Sequence, residues 1–220
     1  MPSLDCTLLA DGSSDAALLP ILEWAIRQHV GEVVVQCEWA DLRRLVSPPR
    51  ALGDRIAKAV ELYPCNMLFV HRDAEGQDPE RRYGEIQTAV QTAKMQGFDV
   101  PHVCVVPVRM QEAWLLLDPV AIRHAADNPS GTARLDLPQP HRIEALPNPK
   151  AVLYECLKIA SERRGRRLKR FRLERGALLV SRHMSDFQAL RVLPAFRRLE
   201  EEIRTVIATV RMGLHQLEAH

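Results

Sequence analysis

Four carboxylates stand in short polar stretches that each follow an apolar run: Asp11 in Ala10-Asp11-Gly12, Asp73 and Glu75 in His71-Arg72-Asp73-Ala74-Glu75, and Glu112 in Glu112-Ala113-Trp114. Magnesium is a hard cation that takes oxygen ligands, and one or two carboxylates suffice to hold it while water and phosphate oxygens fill the rest of its shell. Asp11, Asp73 and Glu75 are therefore candidate metal ligands for magnesium, with manganese as a substitute. Asp73 and Glu75 are two residues apart, so in extended backbone their side chains share a face. The alternative reading has Asp73 capping the turn into the next helix and Glu75 in solvent.

A hydrolytic reaction at such an ion needs a base for the water and a cation for the charge that builds on phosphate. Asp11 is placed to deprotonate the water. Arg109 is the first candidate cation and Arg72 the second, although either could instead pair with a neighbouring acid. His71 titrates near neutrality if unperturbed and is a candidate proton carrier, the competing reading being a hydrogen-bonded structural histidine.

The elements that must position these groups alternate in type. Cys6 to Ala10 reads as a strand ending at Asp11-Gly12-Ser13-Ser14, where either serine suits a helix N-cap. A helical apolar period follows through Leu18, Leu22 and Ile26. Val33 to Trp39 predicts a second strand and Leu52 to Tyr63 a second helix. Met67-Leu68-Phe69-Val70 is continuously apolar, as strands buried on both faces are. A helix over Glu80 to Gln96, a strand over His102 to Val108 and a helical stretch over Gln111 to Leu117 complete the alternation. This order predicts an α/β fold with a mostly parallel sheet flanked by helices, and ligands in such sheets bind outside the carboxyl ends of the strands.

After Asp127 the texture changes. Residues 128–149 hold five of the 15 prolines and read as a long connection placed to close over the site, and from Lys150 the pattern is helical. We divide the chain accordingly into an α/β domain over 1–127 and a proline-rich connection with a basic helical extension packing on it over 128–220. The first part has 12 Lys+Arg against 18 Asp+Glu, and the second 18 against 10, so the parts carry −6 and +8. The basic residues concentrate at Arg163, Arg164, Arg166, Arg167, Lys169, Arg170 and Arg172. Such a run either meets a phosphate backbone, displacing its counterions, or forms a solvated helix face or a contact with the acidic half. Tyr and Phe are sparse near the run, which leaves it without an obvious stacking surface for single strands.

Five isolated cysteines without CxxC spacing fit a reduced, cytoplasmic protein, and no apolar stretch reaches the roughly 20 residues that span a bilayer.

The patterns Asp11-Gly12-Ser13-Ser14-Asp15, Val70-His71-Arg72-Asp73-Ala74-Glu75 and Glu112-Ala113-Trp114-Leu115-Leu116-Leu117-Asp118 resemble those of proteins with a Toprim-like domain. The resemblance is closest to an uncharacterised bacterial group, whose C-terminal pattern is similar to Ser185-Asp186-Phe187 through Phe196. It implies a compact four-stranded Toprim-like sheet, with Asp11 matching the first-strand acid, Asp73 and Glu75 the DxD pair, and Glu112 an acid recurring in the group and hence a catalytic candidate. The departures are Asp11 for the usual Glu, and DxE for DxD. The implied activity is magnesium-dependent phosphodiester chemistry on DNA or RNA, most simply a nuclease, within a bacterial defence or toxin system. Two alternatives stay open: a small phosphate-ester hydrolase using the same carboxylates, and a nonenzymatic partner-binding or regulatory protein. No GxxxxGK[ST] loop is present, so a partner ATPase would be separately encoded.

Overall fold

The computed structural model describes residues 3–218, with side chains through 210. Its centre is a four-stranded sheet of β1 (Ser3–Leu9), β2 (Val34–Trp39), β3 (Met67–His71) and β4 (His102–Val105), in the order β2-β1-β3-β4. Every pairing is parallel. The expected α/β sheet flanked by helices, with a helical C-terminal part, is the fold observed.

Alternation along the strands explains why both faces are covered. On β1, Leu4, Cys6 and Leu8 point to one apolar layer and Leu9 to the other. On β3, Met67 and Phe69 join the first layer, while Leu68 and Val70 join the second. A strand with no polar side needs helices on each face. α2 (Leu52–Leu62) and α3 (Pro79–Met95) supply one cover through Ile56, Ala59, Ile86 and Ala93. The other face receives α1 (Leu19–Arg27), α4 (Pro119–Ala125), α5 (Pro149–Ser161), α7 (Leu173–His183) and α8 (Pro194–Glu218); α6 (Gly165–Lys169) stays at the surface with no buried residue.

The C-terminal part thus contributes to the same apolar layer as the strands. Trp114 and Phe196, both fully buried, meet edge to face at 5.6 Å between ring centroids, a geometry favoured by the aromatic quadrupole. Residues 128–149 are tied down by Asn128 donating to the Ala160 carbonyl and by Glu162 accepting from the Thr132 and Ala133 amides.

Several boundaries differ from expectation for local reasons. The first helix opens with a tight 3-10 segment over Ser13–Leu18, and neither serine caps it; Asp15 instead reaches back to accept from the Gly12 amide at 2.8 Å. β4 stops at Val105 rather than Val108. Pro107 has no N–H to donate, and beyond Val105 the chain offers its carbonyls to the loop after β3, from Pro107 to the Ala74 amide and from Val108 to Gly76. The helical stretch after β4 is a short 3-10 turn, Gln111–Leu115; Asp118 then caps α4 by accepting from the Val120 and Ala121 amides. Among the described residues, no helix is long and apolar enough to cross a membrane. All five cysteines are free thiols.

Candidate functional site

β1 lies at the centre of the strand order, with β2 on one side and β3 on the other. Parallel strands whose connections leave in opposite directions open a crevice beyond their carboxyl ends. The loops that meet there are Asp11–Ser14 after β1 and Arg72–Gly76 after β3, with Gln111 and Glu112 arriving from beyond β4.

The structure divides the expected carboxylates between two groups. Asp11 is exposed and is held by two guanidiniums, Arg55 and Arg72, the latter at 2.8 Å. Arg72 also bonds Glu85 at 2.9 Å; Glu85 bonds Arg82 at 2.9 Å, and Arg82 reaches Glu75 at 3.2 Å. Asp11 and Glu75 are thus the two ends of an ion-pair chain through Arg72, Glu85 and Arg82. Asp73 faces elsewhere. Its Oδ1 accepts from the Gln111 backbone amide at 3.2 Å and stands 3.5 Å from His71 Nε2. Among the described residues, no group of three or more His, Cys, Asp or Glu side chains is arranged to hold a metal ion, so Asp11, Asp73 and Glu75 do not form one three-carboxylate cluster.

What surrounds Asp73 is a second set of polar groups. Its carboxyl is pushed up to about 6, first by burial and then by the charges of Glu112 and Asp15, with His71 and the Gln111 amide opposing. Asp15 and Glu112 are themselves buried. The Asp15 Oδ1 accepts from the Gln111 side-chain amide at 2.8 Å and from the Ser14 hydroxyl at 3.1 Å. Gln111, 3 % exposed, donates through Nε2 while its carbonyl Oε1 is buried without a hydrogen-bond partner among the described residues. An unpaired buried carbonyl costs free energy that a cation or an ordered water would recover.

The other expected participants have definite places. His71 is buried, and its Nδ1 lies 3.0 Å from the Val105 carbonyl. With the proton on that nitrogen, Nε2 presents a lone pair toward Asp73. Arg109 lies over Gly76, whose absent side chain makes room for it: a Cβ there would come within 2.7 Å of the guanidinium. Glu75 and Gly76 both adopt positive φ, 55° and 78°, which bends the loop so that Ala74, Glu75 and Gly76 donate to the chain after β4. Trp114 is core, as its apolar neighbours suggested.

One cation at the site was not anticipated. Lys150, the second residue of α5, brings its ammonium 3.6 Å from Glu112 Oε1 and 5.8 Å from the Tyr154 ring. Burial alone would depress this ammonium, but Glu112 and Tyr154 outweigh burial and hold it above the usual lysine value. A cleft of about 430 Å³ opens here, lined by Ser13, Ser14, Gln111, Glu112, Lys150 and Arg175 among others. No residue of 128–149 lines it, so the proline-rich connection does not close over this cleft; it ends where α5 delivers Lys150.

The basic run is broken into short pieces. Arg164 is extended, α6 lasts five residues, and Arg172 is extended again before α7. Arg163 pairs with Asp127 at 3.0 Å and stacks on Phe171. Arg164, Arg166, Arg167, Lys169, Arg170 and Arg172 are exposed and have no ion-pair partner among the described residues. Among the described residues, Arg163 is thus the member of the run that makes an ion pair with the acidic half. A second cleft, about 280 Å³, lies among Arg163, Arg170, Arg172 and Arg175.

Comparison with protein-family models, curated proteins and solved structures finds no match.

Proposed function

We propose that the protein is a metal-dependent phosphodiester enzyme of Toprim-like type acting on nucleic acid, most simply a nuclease, with its centre at Asp73 and Glu112. The observation that carries this reading is the half-buried Asp73 carboxyl, raised to about 6 by partial burial and by the charges of Glu112 and Asp15, and accepting from the Gln111 backbone amide. A carboxyl perturbed by burial and by neighbouring charges, next to a residue that lines a cleft as Glu112 does, is a candidate functional group.

Asp73 and Glu112 supply oxygen donors of the kind a hard cation takes, and one or two carboxylates suffice where water and phosphate oxygens complete its shell. Once bound, magnesium or manganese would lower the pKa of a coordinated water and offset charge on the phosphate. His71 holds its ring through the Val105 carbonyl and offers Nε2 to a proton on Asp73. Lys150 brings a positive charge to the same edge, and the Ser13 and Ser14 side chains line the space a phosphate would enter. In this reading Asp11 and Glu75 organise the neighbouring arginines, and Arg72 is committed to Asp11 and Glu85. Arg109 remains a candidate phosphate contact, since no ion pair holds it among the described residues.

The test is cleavage of plasmid DNA, single-stranded DNA and tRNA by purified protein with magnesium, manganese or chelator. Asp73→Asn and Glu112→Gln should each remove metal-dependent cleavage without abolishing the cooperative thermal transition. Cleavage that survives either substitution sinks the assignment.

A further inference from the structure

The cleft at Glu112 does not stand alone. Arg43 lines it and also lines a third cleft of about 260 Å³ on the other side, beside Asp11, Arg50 and Arg55. Arg175 lines it and also lines the arginine cleft of the basic run. The three hollows are thus joined by shared lining residues, Arg43 between the first pair and Arg175 between the second. Together their linings hold eight Lys and Arg side chains against four Asp and Glu, an excess that favours a polyanion.

Each hollow also contains one aromatic ring with a cation over or beside it. In the first, the Arg43 guanidinium, which also bonds Asp41 at 2.8 Å, lies 4.7 Å from the centroid of Trp39, at the end of β2. In the middle one, Lys150 approaches Tyr154. In the last, Arg163 lies 4.9 Å from the centroid of Phe171. All three rings are half-buried, so each keeps an accessible part. Repeated phosphate contacts interleaved with aromatic rings are what proteins use to hold unpaired strands, because every base has a face to stack and a duplex hides it.

We propose that these clefts form one continuous track for an extended single strand of nucleic acid, with Arg43 and Arg175 as the phosphate contacts that carry it into and out of the catalytic cleft. The inference rests on the nucleic-acid reading above and specifies its substrate. Only Phe171 lies within the basic run; Trp39 and Tyr154 reach the track from distant parts of the chain.

The experiment measures fluorescence anisotropy of labelled dT12, a 12-base-pair duplex and dTMP in chelator, so that no turnover intervenes. The single strand should bind at least tenfold more tightly than the duplex and 100-fold more tightly than dTMP. Arg43→Gln with Arg175→Gln should weaken dT12 binding at least tenfold, and should flatten the dependence of log affinity on log salt by roughly 1.4, the loss of two phosphate contacts on a single strand. Trp39→Ala should cost roughly tenfold, one stacked base. Arg43 and Arg175 are exposed, so the circular dichroism melt of the double variant should match the parent, while Trp39→Ala, at a half-buried ring, should keep a single cooperative melt at a lower temperature. Equal or tighter binding of the duplex, or a salt slope unchanged in the double variant, overturns the track. Metal-dependent plasmid cleavage that is still lost in Asp73→Asn would then leave the phosphodiester reading standing, whereas dT12 binding without any cleavage would remove that reading and keep the track.

Discussion

Gln111 and Asp15, 96 residues apart in the chain, are joined by a buried 2.8 Å hydrogen bond from the glutamine amide to the aspartate, leaving the glutamine carbonyl oxygen without a partner. That bond locks the turn after β1 to the turn after β4 and fixes which way the free oxygen faces. Replacing Gln111 with leucine should remove one of the three hydrogen bonds that Asp15 accepts, leaving those from Gly12 and Ser14, and cost about 1–3 kcal/mol in urea unfolding. Glutamate at 111 should cost more in chelator than in 5 mM magnesium, because an added carboxylate is tolerated only beside a cation. Equal unfolding curves in the two buffers would argue against a cation at this position.

The Asp73 carboxyl yields a pH signature. Its folded value of about 6 lies above its ordinary 3.8, so the folded state binds the extra proton between those limits. Below about pH 4 the group is protonated in both states and has no effect on stability. Its unfavourable contribution grows as the pH rises and is complete above about 6. Asp73→Asn keeps the acceptor for the Gln111 amide but cannot ionise. It should therefore stabilise the protein by about 1–3 kcal/mol at pH 8 and by little at pH 4, in denaturant titrations. A gain that is the same at both pH values would show that burial of charge at Asp73 is not the cause.

The two carboxylate groups should separate in activity. Asp11 is exposed and shared between Arg55 and Arg72, so Asp11→Asn should alter stability by less than about 1 kcal/mol. Its loss of metal-dependent cleavage should be at least tenfold smaller than that of Glu112→Gln, read as kcat/KM on the same substrate. The reverse ranking would return the metal to the Asp11 side of the crevice.

Gly76 carries backbone strain for any residue with a side chain. At φ 78°, Gly76→Ala should destabilise by about 1–2 kcal/mol. The Cβ would also press on Arg109, but a guanidinium can move. The cost should therefore persist when Arg109 is replaced by alanine in the same chain, and rescue by that second change would place the strain in the side-chain contact.

The apolar layer that spans both parts of the chain predicts a single cooperative transition. Phe196→Ala removes the edge contact on Trp114 and should cost about 3–5 kcal/mol. Fluorescence and far-ultraviolet circular dichroism should lose signal together in that variant, and two separated transitions would mean that residues 1–127 hold their own core.

The order of strands and helices was legible in the sequence because apolar period is a local property: Met67 through Val70 read as a strand covered on both faces, and Leu18 through Ile26 as helical with one apolar side. It also placed Asp73 and Glu112 at strand ends on the same edge. What the sequence could not convey was direction. Asp73 and Glu75 share a face in an extended strand, but positive φ at Glu75 and Gly76 turns the chain and sends the two carboxylates to different partners. Nor could composition reveal Lys150, which reaches Glu112 only because α5 packs against the 3-10 turn after β4, or the pairing of Arg175 with both neighbouring clefts. Residue types and spacing fixed the elements and the chemical inventory; packing between distant elements decided which of those groups face one another, because charge and hydrogen bonding act over a few ångströms in space, whatever the separation along the chain.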